Sequence, residues 1–271
     1  MARRRRSQGN TGLILASAGL AVLIVALLGG FAYLKIKASD HVPLDKTTMC
    51  PETGPIAVTV VLMDTTDPIT DITKSKLKTE FDKVVSSLPI GGLMEIYNLT
   101  DVQSQLTPLF AACNPGDGSE VDEMTDNPRL RKKRWKEAFD DPLQKIRTDD
   151  IGNGSSGTQS PIMAGIQRVK VDLFDRKDVA DIPKTLVIAS DMIEHTKFYS
   201  QYSSGIDYAV FDKSAAKREF RTNLDDVDVT ILYFERSGVK FNPLEHVRFW
   251  AKWFSERGVR NVATVRLEGM N

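Results

Sequence analysis

The sequence predicts an α/β domain, a doubly wound and mostly parallel sheet with one antiparallel edge strand, behind one N-terminal transmembrane helix. Three observations carry this expectation. Residues 56–63 form an unbroken apolar run, rich in β-branched side chains, that ends abruptly in Asp64, Thr65 and Thr66. Such a run reads as a strand covered on both faces, the usual state of a central strand in a parallel sheet. Residues 185–191 repeat the design, an apolar run closed by Ser190 and Asp191. Residues 11–34 carry no charge and follow Arg3, Arg4, Arg5 and Arg6.

That first uncharged run is long enough to cross a hydrocarbon core of about 30 Å as a helix. A cleaved signal peptide has a shorter apolar region that ends in small residues. Here Ala16, Ser17 and Ala18 lie inside the run and Phe31, Ala32 and Tyr33 end it, which favours an uncleaved signal-anchor. The arginines before the span outweigh Lys35 and Lys37 after it, so the positive-inside rule makes residues 1–10 a cytoplasmic basic tail and exports the rest. The expected product is a single-pass membrane protein whose C-terminal domain lies in a periplasm or outside the cell. Residues 35–55 carry prolines and small polar residues with no apolar period, and read as a linker.

The domain itself is expected over residues 56–267. After the first strand, residues 73–88 place Leu77, Phe81, Val84, Val85 and Leu88 on one helical face, and the Pro89-Ile90-Gly91-Gly92 sequence stops the helix. Residues 93–99 alternate as a strand. Residues 106–110 contain Pro108 and suit an edge strand, paired with the preceding one as a hairpin. Residues 113–128 turn acidic, with Asp117, Glu120, Asp122, Glu123 and Asp126, and read as a loop. Pro128 then opens a helix, reaching towards Ile146, whose first two turns carry Arg129, Arg131, Lys132, Lys133 and Arg134. Cations there oppose the helix dipole, so the acidic stretch is expected to fold back and screen them; the other reading is a site for an acidic partner. Residues 152–159 form a Gly- and Ser-rich loop that delivers Ser160 as cap and Pro161 as first residue of a helix through Met163, Ile166, Val169 and Leu173. Beyond the second apolar run, residues 213–221 are a candidate helix, 227–234 a buried strand, 244–257 a helix with Val247, Trp250, Ala251 and Phe254 inward, and 262–267 the last strand. Strand, helix, hairpin, helices, then alternating strands and helices give a doubly wound sheet.

Of 271 residues 41% are hydrophobic, enough to supply a core. Lys plus Arg equals Asp plus Glu, 36 each, so no global field draws the chain to nucleic acid, and none is expected as a partner. In open α/β sheets ligands bind outside the carboxyl edges of the strands, so function is sought around Asp64.

With these motifs in order, residues 55–267 resemble a von Willebrand factor A domain, whose metal-ion-dependent adhesion site draws on three separated segments. Asp64-Thr65-Thr66 is similar to the start of the family's Asp-x-Ser-x-Ser sequence. Ser160-Pro161-Ile162, followed by Gly165-Ile166, resembles its Thr-Pro-Leu helix start, and Ser190-Asp191 its final Thr-Asp. The resemblance implies a metal set of Asp64, Thr66, Ser160 and Asp191, hard oxygen donors that suit Mg²⁺, with Mn²⁺ or Ca²⁺ as alternatives. Where the family has its second serine stands Pro68, which supplies no ligand atom, while Asp67 offers a carboxylate as an additional or supporting ligand. If the set converges, two carboxylates face each other and a cation relieves their repulsion. The implied function is a membrane-anchored binding module for adhesion, scaffolding or assembly, in which an acidic side chain of a partner protein completes the coordination. The alternative without metal is that Asp64 and Asp191 cap helix termini in a structural domain.

Enzymatic readings fare less well. A haloacid-dehalogenase-like phosphohydrolase using Asp64 as nucleophile wants a second carboxylate two residues on, where Thr66 stands. No Gly-x-Ser-x-Gly elbow is present for a Ser-His-Asp hydrolase. His41, His195 and His246 have no spacing for zinc, although His195 could line the same crevice as Asp191. Trp250 and Trp253 read as helix packing, and Trp135 as an interface anchor. No catalytic residue is therefore expected. Cys50 precedes the first strand and Cys113 follows the antiparallel edge strand, so both fall at the lower end of the sheet. A disulfide is geometrically allowed there and an exported compartment permits it. Against it stand two strand spacings of about 4.8 Å each, which flexible flanks would have to close. Bridged and free thiols both stay open.

Overall fold

The structure, a computed structural model, describes residues 11–39, 43–66, 68–101, 105–119, 127–151, 157–236 and 238–267. In chain order it contains α1 (Thr11–Ser39), β1 (Val58–Asp64), α2 (Asp71–Ser87), β2 (Leu93–Leu99), β3 (Leu106–Cys113), α3 (Pro128–Trp135) and α4 (Asp141–Asp149). Next come α5 (Ile162–Arg168), β4 (Lys184–Ser190), the short helices α6 (Gln201–Ser204), α7 (Tyr208–Lys213) and α8 (Ala215–Glu219), then β5 (Val227–Phe234), α9 (Pro243–Ser255) and β6 (Asn261–Leu267). The strands form one sheet in the order β3-β2-β1-β4-β5-β6. Only β3 runs antiparallel to its neighbour. This is the expected doubly wound sheet with its antiparallel edge, and the register slips between Ile96 and Tyr97, opposite Pro108, whose missing N–H confines it to such an edge.

The central strand β1 makes both layers of core. Val58, Val60 and Leu62 join the cluster built with α5 and α9, while Val61 and Met63 join Leu77 and Phe81 of α2 and Phe139, Leu143 and Ile146 of the α3 to α4 region. Side chains alternate between faces with a period of two, so a strand apolar at every position is what a sheet covered on both sides requires. The α5 backbone sits directly on the sheet: a Cβ on Gly165 would come 2.6 Å from Leu99 Cδ1 and 3.3 Å from Leu62 Cδ2.

Three local expectations change, and one falls on residues outside the described ones. The helix after Pro128 passes through a π-helical turn, Lys136–Asp140, before continuing as α4, which places Phe139 in the core. Asn127 caps α3 by accepting from the Leu130 N–H at 3.1 Å, and the acidic residues Glu120, Asp122, Glu123 and Asp126, expected to screen that terminus, lie outside the described residues. Ala251 is exposed rather than inward. The buried stripe of α9 is phased on His246, Phe249, Trp250 and Trp253, and a buried histidine is what a reading of apolar residues alone misses.

The third change concerns residues 35–55. The first helix runs on to Ser39, and residues 43–55, within the stretch read as a linker, are packed on the lower end of the sheet. Asp45 accepts from the Thr47 and Thr48 N–H groups at 2.9 and 2.7 Å, Leu44 bridges to Pro51, and the Cys113 N–H donates to the Thr48 carbonyl at 2.8 Å. Cys50 and Cys113 form a disulfide with their Cα atoms 4.7 Å apart.

The bridge closes a sequence separation of 63 residues. Replacing both cysteines by serine should lower the free energy of unfolding by about 2–5 kcal/mol. Urea titrations would show this as a lower midpoint for the variant and for the reduced protein; coincident midpoints for all three samples would show that the bridge contributes nothing.

Candidate functional site

The carboxyl ends of β1 and β4 adjoin because the two strands pair in parallel up to Met63 opposite Ala189. Asp64 therefore emerges beside Ser190 and Asp191, and the chain turns immediately after each. At the first turn the Asp64 Oδ1 accepts from the Thr66 N–H at 3.0 Å and from its hydroxyl at 2.6 Å. The loop before α5 is tied to this turn by the Gly157 N–H, which donates to the Thr66 carbonyl at 2.8 Å.

Ser160 arrives by a different route from the one expected. It does not cap α5, which begins at Ile162 with Pro161 in the cap position. Instead Ser160 and His195 exchange two backbone hydrogen bonds of 3.0 Å each, a small bridge between the loops that follow the sheet. This leaves the Ser160 hydroxyl directed at Asp64 Oδ2, 3.2 Å away. The Ser190 hydroxyl donates to the same oxygen at 2.7 Å and accepts from the Met192 N–H at 2.7 Å. Three hydroxyls thus converge on one half-buried carboxylate, and Thr66, Ser160 and Ser190 are themselves buried.

Asp191 is buried too. Its Oδ1 accepts from the Ile193 N–H at 2.9 Å, and its Oδ2 lies 2.9 Å from the Nε of Arg236, two residues beyond β5. The two carboxylates are therefore not left to face each other: hydroxyl dipoles serve Asp64 and a guanidinium serves Asp191. Met192, next in the chain, holds φ at 59°, the left-handed region that side chains avoid, and does so fully buried. Asp67, the expected supporting ligand, lies outside the described residues, and Pro68 is exposed.

Glu194 takes the capping role. Its Oε2 accepts from the Met163 N–H in the first turn of α5 at 2.9 Å, and its backbone N–H donates to Gln201 Oε1 at 2.9 Å. Gln201 Oε1 also lies 3.0 Å from His246 Nε2, His246 Nδ1 lies 3.0 Å from the Tyr233 hydroxyl, and the Trp250 indole donates to the Met192 carbonyl at 2.7 Å. Burial, reinforced by the nearby negative charge of Asp64, pushes the Glu194 carboxyl up to about 8 against the pull of its hydrogen bonds. Burial also holds His246 down at about 4. Both are then neutral at pH 7, as fully buried groups without a counter-ion should be. His195 stands at the rim, its Nδ1 2.8 Å from the Ser200 hydroxyl and its ring against Tyr202.

The sequence reading missed Arg236, Glu194 and the direct role of Ser190. Ser190 stands in the Ser190-Asp191 pair that closes the second apolar run. Arg236, two residues past an apolar strand, occupies a position where a ligand-facing residue is expected. Glu194 carried no signal, since nothing local marks a carboxylate that caps a helix from another loop. Among the described residues no three His, Cys, Asp or Glu side chains gather in a group suited to an ion; the set is two carboxylates with hydroxyls, hard oxygen donors of the kind Mg²⁺ takes.

No family model matches the sequence, and no curated protein matches it. Solved structures do. They include the VWA domain of SpRpn10, 12% identical over 79% of this chain and 90% of that one, with a TM-score of 0.40. The ArnB paralogue VWA2 from Sulfolobus acidocaldarius is 11% identical over 78% of this chain with a TM-score of 0.42. A von Willebrand factor type A protein from Catenulispora acidiphila is 13% identical over 78% with a TM-score of 0.38. The chain spans only 41% and 39% of these last two. The likeness is one of fold.

The buried pair dictates a pH response. An acid whose folded pKa is raised stays neutral in the fold while the unfolded chain ionises, so its contribution to stability is lost as pH climbs towards about 8. A histidine held at about 4 acts in the other direction, its contribution lost as pH falls from 6.5. Between pH 6.5 and 8 only the glutamate of this pair acts, and Tm should fall by up to roughly 3 °C per pH unit. Glu194→Gln keeps an acceptor for Met163 and should flatten that limb. A wild-type Tm that is level or rising across this window would refute the assignment.

Proposed function

We propose that the chain is a membrane-anchored protein-binding module whose binding face is the carboxyl edge of β1 and β4. The carrying observation is the convergence of Thr66, Ser160 and Ser190 on Asp64, three buried hydroxyls brought from separate segments to one carboxylate at the sheet edge where ligands bind. A divalent cation suits this donor set. Asp64, Thr66 and Ser160 would hold the ion, Asp191 would support it, and the ion would offer an open position to a partner's acidic side chain. A phosphohydrolase role for Asp64 is disfavoured, because both carboxylate oxygens already accept hydroxyl hydrogen bonds and no second carboxylate stands at Thr66.

The anchor is α1. Over Ile14–Tyr33 it is long and apolar enough to cross a membrane, and Leu15, Leu20, Leu23 and Leu28, spread around the helix by its 100° step, are exposed with no described part of the domain covering them. A helix apolar all round needs a solvent that is apolar too. With the arginines at residues 3–6 inside, the domain is exported.

The Asp191 to Arg236 pair favours a second reading, in which no metal binds and the guanidinium itself receives the partner's carboxylate. Melting with Mg²⁺, Mn²⁺ or Ca²⁺ separates the two. Under the cation reading a hundredfold excess over Kd should add about 2.7 kcal/mol of stability. Asp64→Asn should abolish the gain and Arg236→Gln, by removing a competing positive charge, should enlarge it. No response to any of the three ions, with binding of an acidic peptide lost in Arg236→Gln, would sink the cation reading and support the second.

A further inference from the structure

The lower end of the sheet, opposite the candidate site, carries a surface that nothing above uses. We infer that this base docks on the anionic phospholipid headgroups of the bilayer that holds α1; the inference rests on the anchor reading of that helix. The solvent-facing side of α3 and the turn after it presents Arg129, Lys132, Lys133 and Lys136, all exposed and spaced at the three- and four-residue intervals that share a helix face. Among the described residues Lys133 makes a loose 3.8 Å contact with Glu137, and Lys132 lies near enough to Asp117 to help hold that carboxyl below its ordinary range.

Contacts run without a break from the stapled segment to this helix. Cys50 is bonded to Cys113. The neighbouring Ile56 N–H donates to the Gly91 carbonyl at 3.1 Å, and the Gly91 N–H to the Asn114 carbonyl at 2.7 Å. A Cβ on Gly118 would lie 3.1 Å from Arg131 Cβ. Along this path Ile56, Ile90 and Leu130 are 54%, 45% and 43% exposed, and Leu130 lies on the helix that carries the cations. Mixed apolar and basic surfaces are what a headgroup boundary accepts.

The tether keeps the surface within reach. From Ser39 to Pro43 the chain has four residue steps, at most about 14 Å. From Tyr33 to Ser39 the helix rises only about 9 Å. The disulfide then fixes residues 43–55 to the base, so the end of the domain nearest the membrane is the one that carries the cations. An acidic protein would match the charge as well, but it would not explain the short tether or the exposed isoleucines and leucine.

The chain has three tryptophans, of which Trp250 and Trp253 are fully buried and Trp135, at the end of α3, is half-buried. Quenching by lipids brominated near the headgroup therefore reports on Trp135. The experiment uses the full chain reconstituted in nanodiscs of phosphatidylcholine, alone or mixed with phosphatidylglycerol. Quenching should appear with the anionic lipid, disappear in about 0.5 M salt where the Debye length is a few ångströms, and disappear in the variant Arg129→Glu, Lys132→Glu, Lys133→Glu, Lys136→Glu. Each cation contributes about fivefold to binding such a surface, and a circular dichroism spectrum confirms that the variant is folded. Equal quenching in both lipids, none in either, or quenching unchanged in the variant overturns the proposal while leaving the anchor intact. A chain that washes out of the discs in carbonate overturns the anchor reading and this inference with it.

Discussion

Parallel pairing of β1 with β4, Val58 opposite Lys184 through Met63 opposite Ala189, decides which residues of this chain can meet. The two strands are separated by more than a hundred residues of sequence, yet their register brings Asp64 and Ser190 to the same edge and level. A slip of one residue would invert every side chain of β1 between the two core layers and carry Asp64 to the wrong face. The register is held by burial, since Val60 and Leu62 pack in one layer and Val61 and Met63 in the other. The loops that complete the site lean on this pairing and on two smaller locks, the Ser160 to His195 bridge and the Glu194 cap on α5.

Those locks explain why Glu194, Gln201 and His246 are worth burying. A charged Glu194 without a counter-ion would cost more than its hydrogen bond returns, so it stays protonated and acts as a neutral cap. His246 stays neutral for the same reason and links Tyr233 on β5 with Gln201 on α6. The segment from Asp191 to Gln201 is thereby held to three other elements by polar contacts rather than by regular secondary structure. Such networks specify one arrangement because a partly satisfied alternative leaves polar groups stranded. Met192 at its positive φ is tolerated within that frame, with its carbonyl held by Trp250.

The sheet was legible because its signals are local and repeated. Two apolar runs ending in carboxylates, a proline in the edge strand and amphipathic stretches between them give the strand count, the antiparallel edge and the sheet edge at which Asp64 and Asp191 emerge. Asp64, Thr66, Ser160 and Asp191 could be named from the same motifs. The contacts that set their chemistry could not. Ser160 looked like a helix cap because serine before proline usually is one, but a carboxylate from a distant loop holds that place. Arg236 pairs with Asp191 across the strand order, a contact between residues 45 positions apart that no periodicity reveals. Residues 43–55 looked like a linker because they lack an apolar period, yet a disulfide and hydrogen bonds order them without one.

Arg236 also bears on how a cation could enter. Asp191 Oδ2 is already engaged by the guanidinium and its Oδ1 by a backbone N–H, so this carboxylate is a poor first ligand. Asp64 is the better one, because its partners are hydroxyls, which can turn their own lone pairs towards an ion once their protons are released from the carboxylate. A divalent ion at Asp64 would more than offset that carboxylate's single negative charge and leave a net positive charge at this edge, beside the pair that Asp191 makes with Arg236. An acidic side chain from outside would then be drawn to two positive groups instead of one. Under either reading proposed above, ion first or guanidinium alone, the group received at this edge would be a carboxylate, and the two routes would differ in their dependence on divalent metal.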